Sequence, residues 1–376
     1  MRKYLGVALV AVGLAACNQD GSVTGVKTAI DQLAAAHQAP AGAGGGAVYT
    51  EMNQTSGNAI AIFARANDGS LTAAGSVSTG GTGTGAGLGS QGALALSEDG
   101  QWLYAVNAGS SDISILRVGR ALAVVNRFAS GGTMPISLTV HDHWLYVLNA
   151  GGSGNITGFT LDDRGGASPI PGSTRSLSGA ASVVGPAEVA FSSDGRWLAV
   201  TEKNTNLIDL YPVREHGVAG PRTSSHAAGT TPFGFAFGHD GDLFSSEAAG
   251  TASSYQIEHD ILNVVSGAVN TFHAAPCWLV IDRDNRFAYT ANAHDGTISG
   301  FTVGPRGSLT LLDAAGTTAT PGAGNLDLAF DHDSRYLYQL RSSGPVTAYR
   351  QERDGHLTLI GVSGSMPGAV AGLVAR

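Results

Sequence analysis

The sequence predicts an all-β fold, a seven-bladed β-propeller formed by residues 47–376. Three observations predict it. A unit of ~45 residues recurs along the chain, glycine accounts for 54 of 376 residues, and only 13% of the residues are charged. Abundant glycine without a three-residue period and scarce charge favour short strands joined by tight turns, and they exclude collagen, a coiled coil and a disordered acidic tail. A net charge of -8 also argues against a nucleic-acid-binding surface, which needs clustered Lys and Arg.

The first 16 residues have the pattern of a bacterial signal peptide. Arg2 and Lys3 precede an apolar run at residues 5–16, which is shorter than the about 20 residues that span a bilayer. The run ends in Leu14-Ala15-Ala16-Cys17, which resembles the lipobox of bacterial lipoproteins, whose cysteine is lipidated after cleavage. An ordinary secreted protein is the alternative interpretation. Because Asn18 stands where enteric inner-membrane lipoproteins have Asp, we expect Cys17 to anchor the chain to the outer membrane of the cell envelope.

Residues 17–46 are predicted to be a flexible tether. The segment is rich in alanine and includes Gly42, Gly44, Gly45 and Gly46, with at most one short helix around residues 28–36. The expected organisation is therefore a signal peptide at residues 1–16, a lipidated cysteine and tether at 17–46, and the propeller at 47–376.

Each repeat begins with a small or proline-led strand and passes through a turn of the Asp-Gly type. It then continues into an aromatic strand that ends in a polar residue. The six strand-end residues are Asn107, Asn149, Glu202, Glu247, Asn292 and Arg341. Their separations of 42, 53, 45, 45 and 49 residues suit a four-stranded blade.

A seventh unit is split between the two ends of the repeat region. Residues 47–80 supply its later strands, and residues 367–373 resemble the missing first strand. Pairing these segments closes the ring and covers two sheet edges that an open array would leave bare. The Ser/Gly/Thr-rich residues 78–90 connect the first two blades.

Two segments carry a resemblance to a known family. The sequence Asp194-Gly195-Arg196-Trp197-Leu198 and residues 292–301 resemble the β-propeller lactonases, a family that includes 6-phosphogluconolactonase-type enzymes and fungal carboxymuconate cyclases. The resemblance extends over about 330 residues and implies a lactonase-like propeller. In blade four, family members commonly have Pro-Arg-His and then Asn-Glu, groups implied to bind the acid and the ring-opening water. Here Pro186-Ala187-Glu188 and Thr201-Glu202 stand in those places, so only Glu202 carries over.

The hairpin geometry of each blade predicts where polar side chains meet. The start of the first strand and the end of the second return to the same end of the propeller. We therefore expect Glu188 to lie opposite Thr201 and Ala187 opposite Glu202. By the same count, the remaining pairs are Gly234 with Glu247, Cys277 with Asn292, and Leu326 with Arg341. One end of the channel should thus be lined by Glu188, Glu202, Glu247, Asp327 and Arg341, with Phe233 and Trp278 as apolar walls.

This predicted mouth suggests acid–base chemistry. Neighbouring carboxylates cannot both ionise cheaply, so Glu202 or Glu188 could act as a general acid or base, with Arg341 stabilising an oxyanion. His294 offers a second candidate base, and His273 could contact the ligand at the same end. The structural alternatives are that the strand-end carboxylates cap turns and that the histidines are solvated. No metal or organic cofactor motif is evident, although an acidic channel is compatible with a bound divalent cation.

Two functions fit these residues. The first is an envelope-anchored hydrolase that opens a neutral or cationic lactone or ester. Such a substrate is expected because carboxylates replace the guanidinium that an anionic substrate needs. The second is a non-catalytic propeller that binds or scaffolds at the membrane surface. In either case the expected partners are a small-molecule ligand and the membrane through the lipid anchor. Nucleic acid is not expected as a partner, and the propeller should be a monomer.

Overall fold

The computed structural model describes residues 45–239, 241–364 and 369–376. The predicted signal peptide, the lipidation of Cys17 and nearly all of the tether lie outside these residues, as do Pro367 and Gly368. Within the described part of the chain, no helix combines the length and apolar character needed to cross a membrane.

Seven sheets form the blades of a propeller, which confirms the predicted fold class. The first strands of successive blades contact each other around a closed ring, so they surround the central channel. The strands of blade one that come early in the chain are β1 (Ala47–Glu51), β2 (Ala59–Arg65) and β3 (Leu71–Ser78). Blade two consists of β4 (Leu94–Leu96), β5 (Trp102–Asn107), β6 (Asp112–Arg117) and β7 (Ala123–Ala129). Blade three consists of β8 (Pro135–His141), β9 (Trp144–Asn149), β10 (Asn155–Leu161), β11 (Ala167–Pro169) and β12 (Arg175–Ser176).

The one short α-helix of the described residues, α1 (Ala181–Val184), leads into blade four. That blade consists of β13 (Pro186–Phe191), β14 (Trp197–Glu202), β15 (Leu207–Pro212) and β16 (Thr223–His226). Blade five consists of β17 (Pro232–Phe237), β18 (Asp242–Glu247), β19 (Thr251–Glu258) and β20 (Ile261–Asn270). Blade six consists of β21 (Pro276–Ile281), β22 (Phe287–Asn292), β23 (Thr297–Val303) and β24 (Leu309–Leu311). Blade seven consists of β25 (Asn325–Phe330), β26 (Tyr336–Arg341), β27 (Val346–Gln351) and β28 (Leu357–Val362). Single 3₁₀ turns, Glu215–Gly217 and Pro305–Gly307, precede the outer strands of blades four and six.

The two chain ends close the ring within blade one. The last strand, β29 (Ala371–Ala375), pairs antiparallel with β1 and completes the sheet order β29-β1-β2-β3. Val48 lies opposite Ala375, and Thr50 lies opposite Leu373. The predicted closure is confirmed, although the strand starts at Ala371 rather than at the predicted residue 367.

The six predicted strand-end residues each end the second strand of a blade, so the repeat spacing was correct. The seventh equivalent, Glu51, ends β1 and was not identified from the sequence.

The blades share a backbone feature that shifts the predicted pairing. The residue before the first strand has a positive φ in five blades: Met134, Gly185, Thr231, Ala275 and Gly324. A β-bulge then follows the first residue of the strand. Glu188 lies opposite Thr201 as expected. The partners of the other strand ends are the first residues of each strand, in the pairs Pro186–Glu202, Pro232–Glu247, Pro276–Asn292 and Asn325–Arg341. The predicted partners Ala187, Gly234, Cys277 and Leu326 were therefore wrong by one or two residues, because a bulge leaves a residue unpaired.

The core lies between the blades, where tyrosines of second strands reach the next blade. The hydroxyl of Tyr146 donates to the carbonyl oxygen of Gly217 at 2.7 Å, and Tyr289 does the same to Gly355 at 2.6 Å. Each tyrosine is fully buried, so its ring adds apolar contact while its hydroxyl stays hydrogen-bonded. Gly355 has φ +87, and a Cβ there would come within 2.5 Å of the Phe287 ring, so this turn requires glycine.

Candidate functional site

A short segment crosses the central channel at the end where the second strands finish. We call residues 89–92 the channel strap. The side chain of Gln91 reaches from blade two across the axis to blade six, where its Nε2 donates to the carbonyl oxygen of Leu279 at 2.9 Å. The Leu279 N–H donates back to Gln91 Oε1, also at 2.9 Å. The Gln91 N–H donates to the carbonyl oxygen of Ala187 in blade four at 3.2 Å. The strap therefore closes this end of the channel.

Three further contacts hold the strap in place. Trp278 Nε1 donates to the carbonyl oxygen of Ser90 at 3.0 Å. The Ser90 hydroxyl donates to the carbonyl oxygen of Ile136 at 2.8 Å. Lys203 Nζ donates to the carbonyl oxygen of Gly89 at 2.6 Å and lies 5.0 Å from the centre of the Phe233 ring. Burial lowers the pKa of Lys203 to about 8.

The predicted apolar walls, Phe233 and Trp278, belong to the closed end of the channel. Their rings meet edge to face, with centroids 5.1 Å apart, and both side chains are buried. Neither residue lines the open part of the channel. The structure gives them a packing role beside the strap, and their assignment to ligand binding stays a prediction.

On the other side of Gln91 lies a cavity of about 240 Å³. Its apolar lining comes from the first strands of five blades, through Leu94, Leu138, Val189, Leu328 and Leu373. The first strands begin buried and become half-buried toward the Asp-Gly turns, as β8, β17 and β21 show. The cavity therefore opens at the end of the Asp-Gly turns. The predicted mouth at the opposite end was wrong, because the strap covers it.

The ionisable side chains that line this cavity are Glu188 and Asp327. Glu188 Oε2 accepts a hydrogen bond from the Phe235 N–H at 2.6 Å, and Asp327 Oδ2 accepts one from the Leu373 N–H at 3.1 Å. Both carboxyls are buried, with 5% and 3% exposure. Burial raises the pKa of Glu188 well above its usual range, and the nearby charge of Asp327 raises it further. Burial likewise raises the pKa of Asp327 to about 7.

Glu202 lies on the opposite face of the blade-four sheet from Glu188. Glu188 is paired with Thr201, and the side chains of adjacent strand residues point to opposite faces. The Glu202 carboxylate accepts from the Ser178 N–H at 2.8 Å, from the Ser178 hydroxyl, and from the Thr205 hydroxyl at 2.8 Å. The expected convergence of Glu188 and Glu202 was therefore wrong.

A second carboxyl lies near Glu202 on its own side of the sheet. Asp209 is fully buried and accepts a hydrogen bond from the Ser224 hydroxyl at 2.6 Å. Burial, and after it the charge of Glu202, raises the pKa of Asp209, while Arg222 at 3.6 Å partly offsets this. Glu202 and Asp209 lie on neighbouring strands of blade four, and neither lines the channel cavity.

The other strand-end residues have similar local partners. Glu247 accepts hydrogen bonds from the Thr251 hydroxyl at 2.6 Å and the Gly229 N–H at 3.3 Å, and burial raises its pKa. Asn292 donates to the Thr297 hydroxyl at 2.8 Å. These contacts join each second strand to the turn after it and, for Glu202 and Glu247, to the segment that enters the blade. The repeat therefore gives these residues a structural role, as the alternative interpretation of the sequence expected.

Arg341 also points to the loop that precedes its own blade. Its Nη1 donates to the carbonyl oxygen of Pro321 at 3.3 Å, whereas its buried Nε has no hydrogen-bond partner. Arg341 does not line the cavity. Its assignment as an oxyanion-stabilising residue stays a prediction.

The two predicted histidines meet at one carboxylate on the surface of blade six. Asp295 lies between them, with Oδ1 at 2.9 Å from His294 Nδ1 and Oδ2 at 3.2 Å from His273 Nδ1. The sequence placed both histidines at the same end of the propeller, and the structure agrees. They lie outside the channel cavity.

Sequence reasoning missed Gln91 and Glu51. The flanking Gly89 and Gly92 were the only available sign that the chain makes a close crossing near Gln91. Glu51 could have been found by extending the strand-end spacing to the split unit. Its carboxylate is fully buried, and burial raises its pKa well above the usual range although the Asn58 side chain partly offsets this. Across the described ranges, no three side chains of His, Cys, Asp or Glu converge as a metal site.

Comparison with solved structures finds many chains of similar fold. A protein from Lactobacillus plantarum has a TM-score of 0.72 and 17% identity, over 88% of this chain and 99% of the other. The periplasmic gluconolactonase PpgL of Pseudomonas aeruginosa has a TM-score of 0.70 and 15% identity, over 88% and 98%. A candidate 6-phosphogluconolactonase from Bacteroides fragilis has a TM-score of 0.68 and 17% identity, over 90% and 100%. At these identities the likeness shows the fold alone.

Sequence comparison identifies the family. No curated protein matches the chain. The family described as "Lactonase, 7-bladed beta-propeller" matches residues 48–168 and 250–367, which together make up more than half of the chain. The chain therefore belongs to the lactonase family of seven-bladed β-propellers.

Proposed function

We propose that this protein hydrolyses a small uncharged lactone in the channel cavity, with Asp327 as general base and Glu188 as general acid. The observation that carries the proposal is the pair of buried carboxyls in a cavity of about 240 Å³ that is otherwise lined by apolar and uncharged groups. Their shifted pKa values suit them to opposite roles. Asp327, at about 7, is partly ionised near neutral pH, whereas Glu188 keeps its proton.

The reaction requires two proton transfers, one from water to the protein and one from the protein to the leaving alkoxide. Asp327 accepts a proton from water as the water oxygen bonds to the lactone carbonyl carbon. The ring C–O bond then breaks, and Glu188 donates its proton to the departing alkoxide. The Phe235 N–H holds the Glu188 carboxyl in place, and the Leu373 N–H holds that of Asp327. The apolar lining strengthens both interactions by excluding bulk water.

The charge and size of the cavity indicate the substrate class. Its lining contains no Lys, Arg or His, so a phosphorylated sugar lactone would find no cationic partner there. The volume is below the ~300 Å³ at which ordinary ligand pockets begin, which favours a monocyclic lactone. The gluconolactonase activity named for the Pseudomonas aeruginosa protein supports an uncharged sugar lactone as the first candidate.

We also propose that the protein works at the cell envelope. The lipobox-like residues 14–17 support lipidation of Cys17 and attachment to the outer membrane, and the acidic net charge supports partners other than nucleic acid. The pairing of β29 with β1 completes blade one and closes the ring, which suits a monomer. Mass spectrometry of the membrane-extracted protein would test the lipid anchor. Elemental analysis would test whether the channel holds a divalent cation.

The activity is tested with the purified full-length protein and two lactones. We expect turnover of glucono-1,5-lactone above background and none of its 6-phosphate. Asp327→Asn and Glu188→Gln should each lower turnover about 100-fold. Glu352 lies outside the cavity lining, so Glu352→Gln serves as control and should match the wild type. Turnover that persists in both cavity variants would overturn the assigned residues.

The alternative function is a non-catalytic binding propeller. The channel strap favours it, because Gln91 and Trp278 close the end of the channel at which the sequence predicted the reaction. A lactone that raises the melting temperature of the protein without being hydrolysed would support this alternative and exclude the hydrolase.

A further inference from the structure

A chain of three hydrogen-bonded side chains lies at the edge of blade six, outside the channel cavity. His273 Nε2 lies 2.7 Å from the Thr317 hydroxyl, and His273 Nδ1 lies 3.2 Å from Asp295 Oδ2. With a carboxylate at Nδ1, the proton of a neutral imidazole resides on that nitrogen. The free Nε2 then accepts the hydrogen bond from Thr317. The arrangement is a hydroxyl, a base and a carboxylate that orients the base.

The carboxylate is fixed by more than the histidine. Asp295 Oδ2 also accepts from the Ala274 N–H at 2.7 Å, and Oδ1 contacts His294 Nδ1 at 2.9 Å. Burial opposes ionisation, but hydrogen bonds from His294, Ala274 and His273 hold the pKa of Asp295 below its usual range. The carboxylate therefore stays charged and orients the His273 imidazole through Nδ1.

The backbone is shaped to bring Thr317 to the imidazole. Gly316 has φ +76, and a Cβ there would lie 1.8 Å from the carbonyl oxygen of Thr271. Only glycine lets this loop approach the segment that carries His273.

The residue before His273 adds an exposed aromatic surface. Phe272 has φ +60, a conformation that costs free energy for a bulky side chain, and its side chain is 63% exposed. The Asn270 side chain stabilises this conformation by accepting the Phe272 N–H at 2.7 Å. An exposed ring on the residue next to His273 in the chain favours a small aromatic ester as the molecule that binds here.

We propose that Thr317, activated by His273 and oriented through Asp295, is a second reactive centre that accepts acyl groups from small aryl esters. The Thr317 oxygen bonds to the ester carbonyl carbon while its proton passes to His273 Nε2. The bond to the phenolic oxygen breaks, and His273 returns the proton to the departing phenol. Water then cleaves the acyl-threonine by the reverse proton transfers, which releases the acid.

The test uses p-nitrophenyl acetate with the full-length protein. We expect a burst of nitrophenol and a single acetyl group on the peptide that contains Thr317, detected by mass spectrometry after acid quenching. Thr317→Val should abolish this acetylation, and His273→Gln should slow it about 100-fold. Thr317→Ser keeps a hydroxyl and should retain acetylation, which separates loss of the nucleophile from loss of the fold. Asp295→Asn should slow the burst, and Asp295→Glu should partly restore it.

Matched controls come from the same chain. Thr230 is an exposed threonine in the segment that enters blade five, and His356 is paired with the carboxylates of Asp313 and Asp354. Thr230→Val and His356→Gln should leave the acetylation unchanged. Thr317→Val should hydrolyse lactone at the wild-type rate, whereas Asp327→Asn should still be acetylated. Loss of activity at the Thr317 site or in the channel cavity should thus leave the other activity intact. Acetyl groups found only on Lys203 or another residue, or an equal burst from Thr317→Val, would overturn the proposal.

Discussion

At the scale of single residues, burial dominates the protonation of several carboxyl groups. For Glu51, Glu188, Glu247 and Asp327, burial is the largest cause that raises the pKa. Their neighbours are mainly backbone N–H groups and hydroxyls rather than Lys or Arg. Charge pairing therefore does not offset the cost of desolvation, and these groups favour their neutral forms.

The first prediction concerns the dependence of stability on pH. The pKa of Asp327 is about 7 in the folded protein against 3.8 for the ordinary residue, so the folded state binds this proton more tightly. The contribution of Asp327 to the unfolding free energy should therefore be highest below pH 4, fall as the pH rises toward 7, and stay low above it. Asp327→Asn removes this contribution and should reduce the loss of stability between pH 5 and pH 8 by about 2 kcal/mol.

Urea denaturation of both proteins at the two pH values measures this difference. Asp68→Asn is the control, because Asp68 is exposed and hydrogen-bonded to the Ser70 hydroxyl, which lowers its pKa. An Asp327→Asn protein that loses as much stability as the wild type would contradict the assigned ionisation.

The second prediction separates the roles of Glu188 and Glu202 in blade four. Glu202 is satisfied by Ser178 and Thr205 on the face away from the cavity, so Glu202→Gln should keep kcat/KM for the lactone within about threefold of the wild type. Glu188→Gln should lose about 100-fold, because it removes the proposed acid. Steady-state kinetics of the two variants shows which of the two carboxyl groups acts on the lactone. A large loss in Glu202→Gln alone would restore the role that the sequence assigned to this residue.

The sequence predicted which residues occur at the strand ends, but not the direction in which each side chain points. The strand-end positions were correct because aromatic residues and Asp-Gly turns mark them. The bulge after Pro186 leaves no composition signal, yet it makes Pro186 rather than Ala187 the partner of Glu202. Glu188 shares a face with its partner Thr201, and Glu202 follows Thr201 on the strand, so Glu202 faces the opposite side of the sheet from Glu188. Gln91 was missed because its partners are backbone groups of distant blades, which no local pattern encodes.

At the scale of structural elements, the channel strap links blades that are far apart in the chain. Gln91 forms two hydrogen bonds with Leu279 and donates its N–H to Ala187. All of these groups are buried, so water cannot readily replace a lost partner. The strap thus adds cross-channel contacts to those between neighbouring blades.

The third prediction tests this link. Gln91→Ala leaves the Leu279 N–H and carbonyl oxygen without their partner, which should lower the unfolding free energy by about 2 kcal/mol. Amide hydrogen exchange at Leu279 should accelerate, because its acceptor is the removed Oε1. Gln101→Ala, at an exposed position of a turn in blade two, is the control. Unchanged exchange at Leu279 would show that the strap does not seal the channel.

The fourth prediction uses the glycine that faces Gln91. A Cβ on Gly234 would lie 2.1 Å from Gln91 Oε1 and 2.7 Å from the carbonyl oxygen of Cys277. Gly234→Ala should therefore displace Gln91 and lower the unfolding free energy by about 1–3 kcal/mol. In the Gln91→Ala background part of this loss should disappear, because one of the two clashes is gone. A double-mutant cycle by urea denaturation measures the coupling, and strictly additive losses would contradict direct contact between these positions.

At the scale of the whole molecule, closure depends on a strand contributed by the chain terminus. The composition and the repeat spacing were sufficient to predict the ring. The two parts of the split seventh unit complete a four-stranded blade only by pairing with each other. The exact start of the closing strand was not predictable, because Ala371–Ala375 lacks the proline that leads β8, β13, β17 and β21. This strand pairs with β1, and its Leu373 N–H also holds Asp327 in the cavity. Closure and the proposed chemistry therefore share one element.

The fifth prediction is that removal of residues 371–376 impairs both the closure of the ring and the hydrolysis of the lactone. The shortened protein exposes the β1 edge and loses the buried side chain of Leu373, so it should unfold at a lower temperature and self-associate. It should also lose lactone turnover, because Asp327 loses a hydrogen-bond donor. A synthetic peptide of residues 369–376 should restore the monomer and the activity by pairing with β1, whereas a scrambled peptide should not. Light scattering and turnover measured on the same samples decide the result. A monomeric, active shortened protein would show that the ring holds without its terminal strand.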